Sequence, residues 1–129
     1  MEFLEDLNIP GLTCPPEGAR PVDMSVYRFV KHNPVEPSDI WSYREEYPGK
    51  VFHGKYKCQA RACSVFVDHE DVTKLGKMSP FKNMKLVLIY IKEKDGVLLN
   101  TPALNGNSHH SWWVSREFTI TADNVKEAG

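Results

Sequence analysis

The sequence predicts a single α+β domain with a mixed or mostly antiparallel sheet of about five to six strands and two or three short helices. Strand and helix patterns alternate in the first half of the chain, and a run of strands follows. The 129 residues suffice for one domain, and a hydrophobic fraction of 41% is enough for a core.

The first strand is predicted at MSVYRFVKH, where valine, tyrosine and phenylalanine suit a pleated surface. Alternation places Val26, Arg28 and Val30 on one face. KDG is typical of a hairpin turn, with VLLN as the returning strand. The other predicted strands are CSVFVD, MKLVLIYIKE, HSWWV and EFTIT.

Two helices have capping residues. Ser38 follows Pro37 and begins a helix over DIWSYREEY, and Asp68 caps a helix over HEDVTKLGKM. The stretch KVFHGKYKCQARA is interpreted as loop with strand fragments. We expect a proline-rich arm at 1–22, the domain at 23–121 and a flexible tail at 122–129.

The composition disfavours several classes of protein. A net charge of −1 disfavours nucleic-acid binding, which usually needs a basic excess. The longest apolar run, LVLIYI, is too short to span a bilayer, and the acidic start does not resemble a signal peptide. Three cysteines, an odd count, argue against a disulfide framework. The prediction is a cytoplasmic protein without a membrane partner, with its oligomeric state open.

Arg28 lies on a valine-lined strand face, where it needs an anion, a carboxylate or an opening to solvent. It either forms an ion pair, for example with Glu45, Glu70 or Asp71, or belongs to a site. Ser64, on the next confident strand, could come near it.

The stretch NSHHSWWVS supplies the other candidate groups. Alternation puts His109 on one sheet face and His110 on the other, so only one can join a given cleft. Arg28, Ser64, His109 and His110 are the candidate catalytic residues. One tryptophan should fill the core. Tyr27, Lys31 and Trp113 are the candidate ligand contacts.

His53, Cys58, Cys63 and His69 have metal-ligating side chains, but their spacing lacks the tight cysteine knuckle of zinc sites. Ordinary buried thiols are favoured, and no metal or other cofactor is predicted.

The blocks YRFVKHNPVEPSDIWS, CSVFVDHEDVTKL, LVLIYI and HHSWWV resemble a small family of bacterial hypothetical proteins. The resemblance covers Tyr27 to about Val114, and it implies a fold and an order of motifs. A looser likeness to ADP-ribosyltransferases matches Arg28 and Ser64, with Glu117 as the late-strand glutamate. That likeness alone implies NAD or a nucleotide as ligand.

Two main hypotheses follow. The first is a small ligand- or protein-binding domain, with a protein or a small anionic molecule as partner. The second is an enzyme acting on a nucleotide-like ligand, with Arg28, Ser64 and one histidine in a single cleft. A phage- or defence-associated accessory protein is a third possibility, suggested by the proline-rich arm.

Overall fold

The computed structural model describes residues 1–103 and 106–128. They form one antiparallel sheet in the order β1-β5-β6-β3-β2-β4-β7. The strands are β1 (Arg20–Pro21), β2 (Met24–Val30), β3 (Cys63–Phe66), β4 (Lys85–Ile91), β5 (Gly96–Asn100), β6 (His109–Val114) and β7 (Val125–Glu127). The single α+β domain is confirmed. The described residues contain seven strands, which is more than predicted.

Three short α-helices connect the strands: α1 (Tyr43–Glu46), α2 (Tyr56–Gln59) and α3 (His69–Leu75). Asp68 caps α3 as predicted, because its carboxylate accepts from the Glu70 amide. The helix predicted over DIWSYREEY is divided into a 3-10 turn, Pro37–Ile40, and α1. Ser42 causes the division, since its hydroxyl caps α1 and so begins a new helix.

Several local predictions were wrong. KVFHGKYKCQARA contains α2. EFTIT is not a strand, because β6 already pairs with β5 and β3 and leaves no vacant edge beside it. Phe118 from this segment instead packs edge-on against Trp112, with ring centroids 4.9 Å apart. The predicted flexible tail contains β7, which pairs with β4, and the predicted arm contains β1.

The KDG turn does not form a hairpin either. Strands β4 and β5 are four positions apart in the sheet order, yet only residues 92–95 join them. In a flat sheet the four inter-strand spacings between β4 and β5 would add up to about 19 Å, which is more than this connection can reach. The sheet must therefore curl. Gly96 makes the entry into β5 possible, because a Cβ there would lie 2.2 Å from the Trp113 carbonyl oxygen.

Both faces of the curled sheet are covered. The concave face holds the main core, which includes Val26, Val65, Ile89 and Trp112. On the convex face, Phe29 and Phe66 pack under α3, and Trp113 packs under the N-terminal arm. Both faces are therefore apolar over most of their area, as in a strand layer buried on two sides.

Cys14 and Cys58 form a disulfide that ties the N-terminal arm to α2. Ile9 and Trp113 are buried beside it. The expectation of unpaired cysteines was therefore wrong for this pair, and Cys63 is the free cysteine among the residues described. No helix in this part of the chain is long and apolar enough to cross a membrane. Because disulfides are rare in the cytosol, the pair argues against the cytoplasmic prediction.

Reduction of this disulfide should destabilise the fold. It closes a loop with a sequence separation of 44, so its removal should lower the free energy of unfolding by up to about 4 kcal/mol. Urea denaturation with and without reductant measures this loss. The Cys14→Ser/Cys58→Ser double variant should be unaffected by reductant. Alkylation of more than one thiol in unreduced, denatured protein would contradict the pairing.

Candidate functional site

A cleft of about 480 Å³ opens on the convex face of the sheet. The residues of β3 and β6 that point into it form its floor. The register pairs Ser64 with Ser111 and Phe66 with His109, so these four side chains share one face. The walls come from α1, α2 and the segment around residues 75–84.

Arg28 lies at the end of the cleft, between β2 and β3. These two strands pair at a single position, Tyr27 with Phe66, and then separate. The Arg28 guanidinium bridges the gap: Nη1 donates to the Ser64 carbonyl at 2.7 Å and Nε donates to the Asp39 carbonyl at 2.6 Å. Nη2 forms an ion pair with the Glu46 carboxylate. One side chain thus joins β2, β3, the 3-10 turn and α1.

The partner of Arg28 is a residue of α1, not one of the three carboxylates that the sequence suggested. Only 9% of the Arg28 side-chain surface and 29% of the Glu46 side-chain surface are exposed. The pair is therefore largely desolvated. It places a neutralised guanidinium, and not a bare positive charge, at this end of the cleft.

His109 presents one ring nitrogen to the cleft. Its Nδ1 lies 2.8 Å from the Thr101 carbonyl oxygen, which can only accept, so Nδ1 carries the hydrogen. The Thr101 hydroxyl lies 3.0 Å from the same nitrogen and 2.8 Å from the Ser111 hydroxyl. Burial lowers the pKa of His109 below its ordinary value. The imidazole is therefore neutral at pH 7, and its Nε2 is a hydrogen-bond acceptor.

Aromatic side chains form the opposite wall. Tyr43 contacts Tyr47 and Phe52, with ring centroids 4.7 Å and 5.6 Å apart. At the rim, Tyr47 is 46% exposed and Tyr56 is 55% exposed, and Met78 beside them is 57% exposed. Such exposure of large apolar groups around a concavity marks a contact surface.

A second cleft, of about 570 Å³, lies on the other side of α1 and is lined by Trp41, Phe118 and Ile120. Two acidic residues, Glu5 and Glu45, also line it. The Glu5 carboxylate accepts from the Ser42 hydroxyl and, through both oxygens, from Arg44. The Glu45 carboxylate accepts from the Ser42 amide in the cap of α1. The cleft on the convex face is the stronger candidate despite its smaller volume, because it combines an open histidine nitrogen with a wall of aromatic side chains.

Three of the predicted site residues meet in the convex cleft: Arg28, Ser64 and His109. His110 does not join them. It points to the opposite face, and its Nδ1 is bonded to the Ser108 carbonyl at 2.8 Å.

The three predicted ligand contacts lie outside the cleft lining. Tyr27 packs edge-on against His69, with ring centroids 5.7 Å apart. Lys31 is exposed beyond the end of β2. Trp113 has no exposed surface, and its indole donates to the Cys58 carbonyl, so it is a core residue and cannot contact a ligand.

The metal-ligating side chains do not assemble. Cys58 is committed to the disulfide, and burial raises the pKa of the Cys63 thiol to about 11, which leaves it protonated and unreactive. Among residues 1–103 and 106–128, no group of three or more histidine, cysteine or acidic side chains could hold a metal ion.

The sequence interpretation missed Glu46 and the aromatic wall. The wall has a visible signal, since Tyr43, Tyr47, Phe52 and Tyr56 recur every four or five residues. The interpretation of residues 50–62 as loop obscured it. Glu46 carries no comparable signal, because three other carboxylates could equally well have reached Arg28.

Comparisons with family models, with curated proteins and with solved structures found no match to this chain. The bacterial family and the ADP-ribosyltransferase likeness therefore stay predictions. One element of that likeness differs in the structure: Glu117 is exposed in the turn after β6, not on a strand, and does not line the cleft.

Loss of the Arg28 side chain should be severely destabilising. Arg28→Ala removes the donors from two carbonyls and leaves the Glu46 carboxylate without its partner, which should cost about 3–5 kcal/mol. Chemical denaturation measures the change. Lys31→Ala removes an exposed cation next to the same strand and should change stability by less than about 0.5 kcal/mol. Equal effects of the two substitutions would show that the bridge is unimportant.

Proposed function

We propose that this protein is a small-molecule-binding domain and that the convex cleft is its site. One observation carries the proposal: aromatic side chains enclose a cleft in which several polar atoms have no partner in the described part of the chain. Among the described residues, none hydrogen-bonds the Nε2 of His109 or the second carboxylate oxygen of Glu46. Ligand sites combine mostly apolar walls with a few such convergent polar groups.

The size of the cleft supports a compact ligand. Its volume of about 480 Å³ falls inside the range of about 300–1,000 Å³ that small-molecule sites occupy. The exposed rings of Tyr47 and Tyr56 at the rim favour contact with a flat, apolar group, since aromatic faces stack well on such groups.

The charge of the cleft disfavours the anionic ligand that the sequence suggested. Clamping a phosphate needs a cation whose hydrogen-bond donors face the ligand. Three of the five N–H groups of Arg28 donate to two carbonyls and to the Glu46 carboxylate, which also neutralises its charge. Among the other lining residues there is no lysine or further arginine. A nucleotide or NAD would therefore place its phosphates against a neutral pair and an open carboxylate oxygen.

A fragment screen by protein-observed NMR tests this proposal. Binding fragments should perturb the amide signals of residues on the cleft floor, such as Ser64 and His109. Ser64→Leu fills the floor and should abolish these shifts. Ser25→Leu makes the same change at an exposed serine of β2 and should leave them intact. Fragment shifts that map elsewhere, or that survive Ser64→Leu, would sink the proposal.

An enzyme acting on a ligand in this cleft is the second candidate, and His109 favours it. A neutral imidazole, held by Thr101 in the tautomer that leaves Nε2 unprotonated, is the arrangement of a general base. The buried hydroxyl of Ser111 belongs to the same network but is engaged by Thr101. The described residues thus supply a base without an activated nucleophile, so the binding function is the better supported.

Protonation of His109 should lower the free energy of unfolding in acid. Its pKa is lower in the folded protein than in the unfolded chain, so below about pH 6.5 the unfolded chain takes up the proton first. The free energy of unfolding should therefore fall as the pH drops from 6.5 toward the lowered pKa. Denaturation curves between pH 7 and pH 5 should show a shallower loss for His109→Gln. The exposed control His53→Gln should follow the wild type; identical slopes for all three proteins would contradict this assignment.

A further inference from the structure

Some polar atoms that line the cleft can only accept hydrogen bonds, whereas others can donate or accept. This difference restricts the ligand. The unpartnered oxygen of Glu46 and the Nε2 of neutral His109 can only accept hydrogen bonds. The Ser64 hydroxyl and the Gln59 amide also line the cleft without a partner among the described residues, and each can donate or accept. Glu46 and His109 therefore contribute acceptor atoms only, whereas Ser64 and Gln59 can adapt to the ligand.

The charged donor of the lining, Arg28, is mostly engaged by the protein. Three of its five N–H groups donate to protein oxygens, and 9% of its side chain is exposed. The Tyr43 hydroxyl accepts from Lys50 at 2.9 Å and keeps its own O–H, a neutral donor. A ligand that offered only acceptors would leave the Glu46 oxygen and the His109 nitrogen unpaired in a partly dry site, at a cost in affinity.

We propose that the cleft binds a planar aromatic compound that carries N–H donors, such as an aryl amidine, an arylamine or an amino-substituted heterocycle, and that it discriminates against aryl carboxylates and phosphates. This inference rests on the proposed binding function and specifies its ligand class. The donor group faces Glu46 and His109, and the ring lies against the aromatic wall of Tyr43, Tyr47, Phe52 and Tyr56.

The aromatic wall supplies stacking area, and Glu46 supplies the preference for charge. Lys50 Nζ lies 5.0 Å from the centre of the Tyr43 ring and 6.0 Å from that of Phe52, and Lys55 Nζ lies 5.4 Å from that of Tyr56. The protein's own ammonium groups thus already use the cation–π attraction of these rings. Selection against anions therefore rests on the open carboxylate oxygen of Glu46.

Three compounds of one shape make the test: benzamidine, benzamide and benzoate. Each is a phenyl ring with a planar three-atom head group. The head group of benzamidine is a cation with hydrogen-bond donors only, that of benzamide is a neutral amide, and that of benzoate is an anion with acceptors only. NMR titration of the oxidised full chain at pH 7 should rank affinity in that order. Benzoate should bind at least about tenfold more weakly than benzamidine, the worth of one charge-assisted hydrogen bond.

A matched pair of variants tests whether the charge of Glu46 causes the preference for benzamidine over benzoate. Glu46→Gln keeps an acceptor for Arg28 but removes the charge, and should reduce the preference for benzamidine over benzoate to about threefold or less. Glu45→Gln is the control, because Glu45 lines the other cleft and a glutamine can still serve as its capping partner for Ser42. It should leave the preference unchanged.

The outcomes separate the two proposals. Benzoate binding in the cleft as tightly as benzamidine would overturn the ligand class while the binding function stood. Failure of all three compounds to perturb any cleft residue would overturn both. The ranking is measured on the wild-type chain, so the test does not depend on Glu46→Gln remaining folded.

Discussion

The three contacts of Arg28 are the constraint on which this structure depends. A long cation starts from the apolar concave face of a curled sheet and ends between two strands that separate after a single pairing. Its donors satisfy carbonyls on β3 and on the 3-10 turn, and its charge meets Glu46 on α1. Without this bridge, the gap between β2 and β3 would expose unpaired carbonyl groups to an apolar interior.

The same bridge sets the chemical character of the cleft. The pairing with Arg28 fixes the Glu46 side chain of α1, so one carboxylate oxygen is engaged and the other is left for a ligand. His109 is fixed by Thr101 in an equivalent way, with one ring nitrogen engaged and the other open. In both cases a structural contact determines which atom of a bifunctional side chain remains available.

Sequence patterns predicted the parts of this molecule that depend on local periodicity. Strand alternation correctly placed His109 on one face of β6 and His110 on the other, because neighbours along a strand point to opposite sides. Predictions failed where distant segments compete for a partner. The residues after β6 alternate but find no free edge, whereas Val125–Glu127 find the open edge of β4. The pairing of Arg28 with Glu46, and of Cys14 with Cys58, likewise depends on the folded topology.

The disulfide also bears on how the Arg28 bridge assembles. Cys14 and Cys58 close the chain into a covalent ring, and Arg28, Asp39 and Glu46 all lie inside it. Ser64, the remaining partner, lies just outside. In the oxidised unfolded chain these three groups already share a confined volume, so bringing them together forfeits less chain entropy than it would in an open polymer. A crosslink between the N-terminal arm and α2 thus favours an ion pair between β2 and α1 in which neither cysteine takes part.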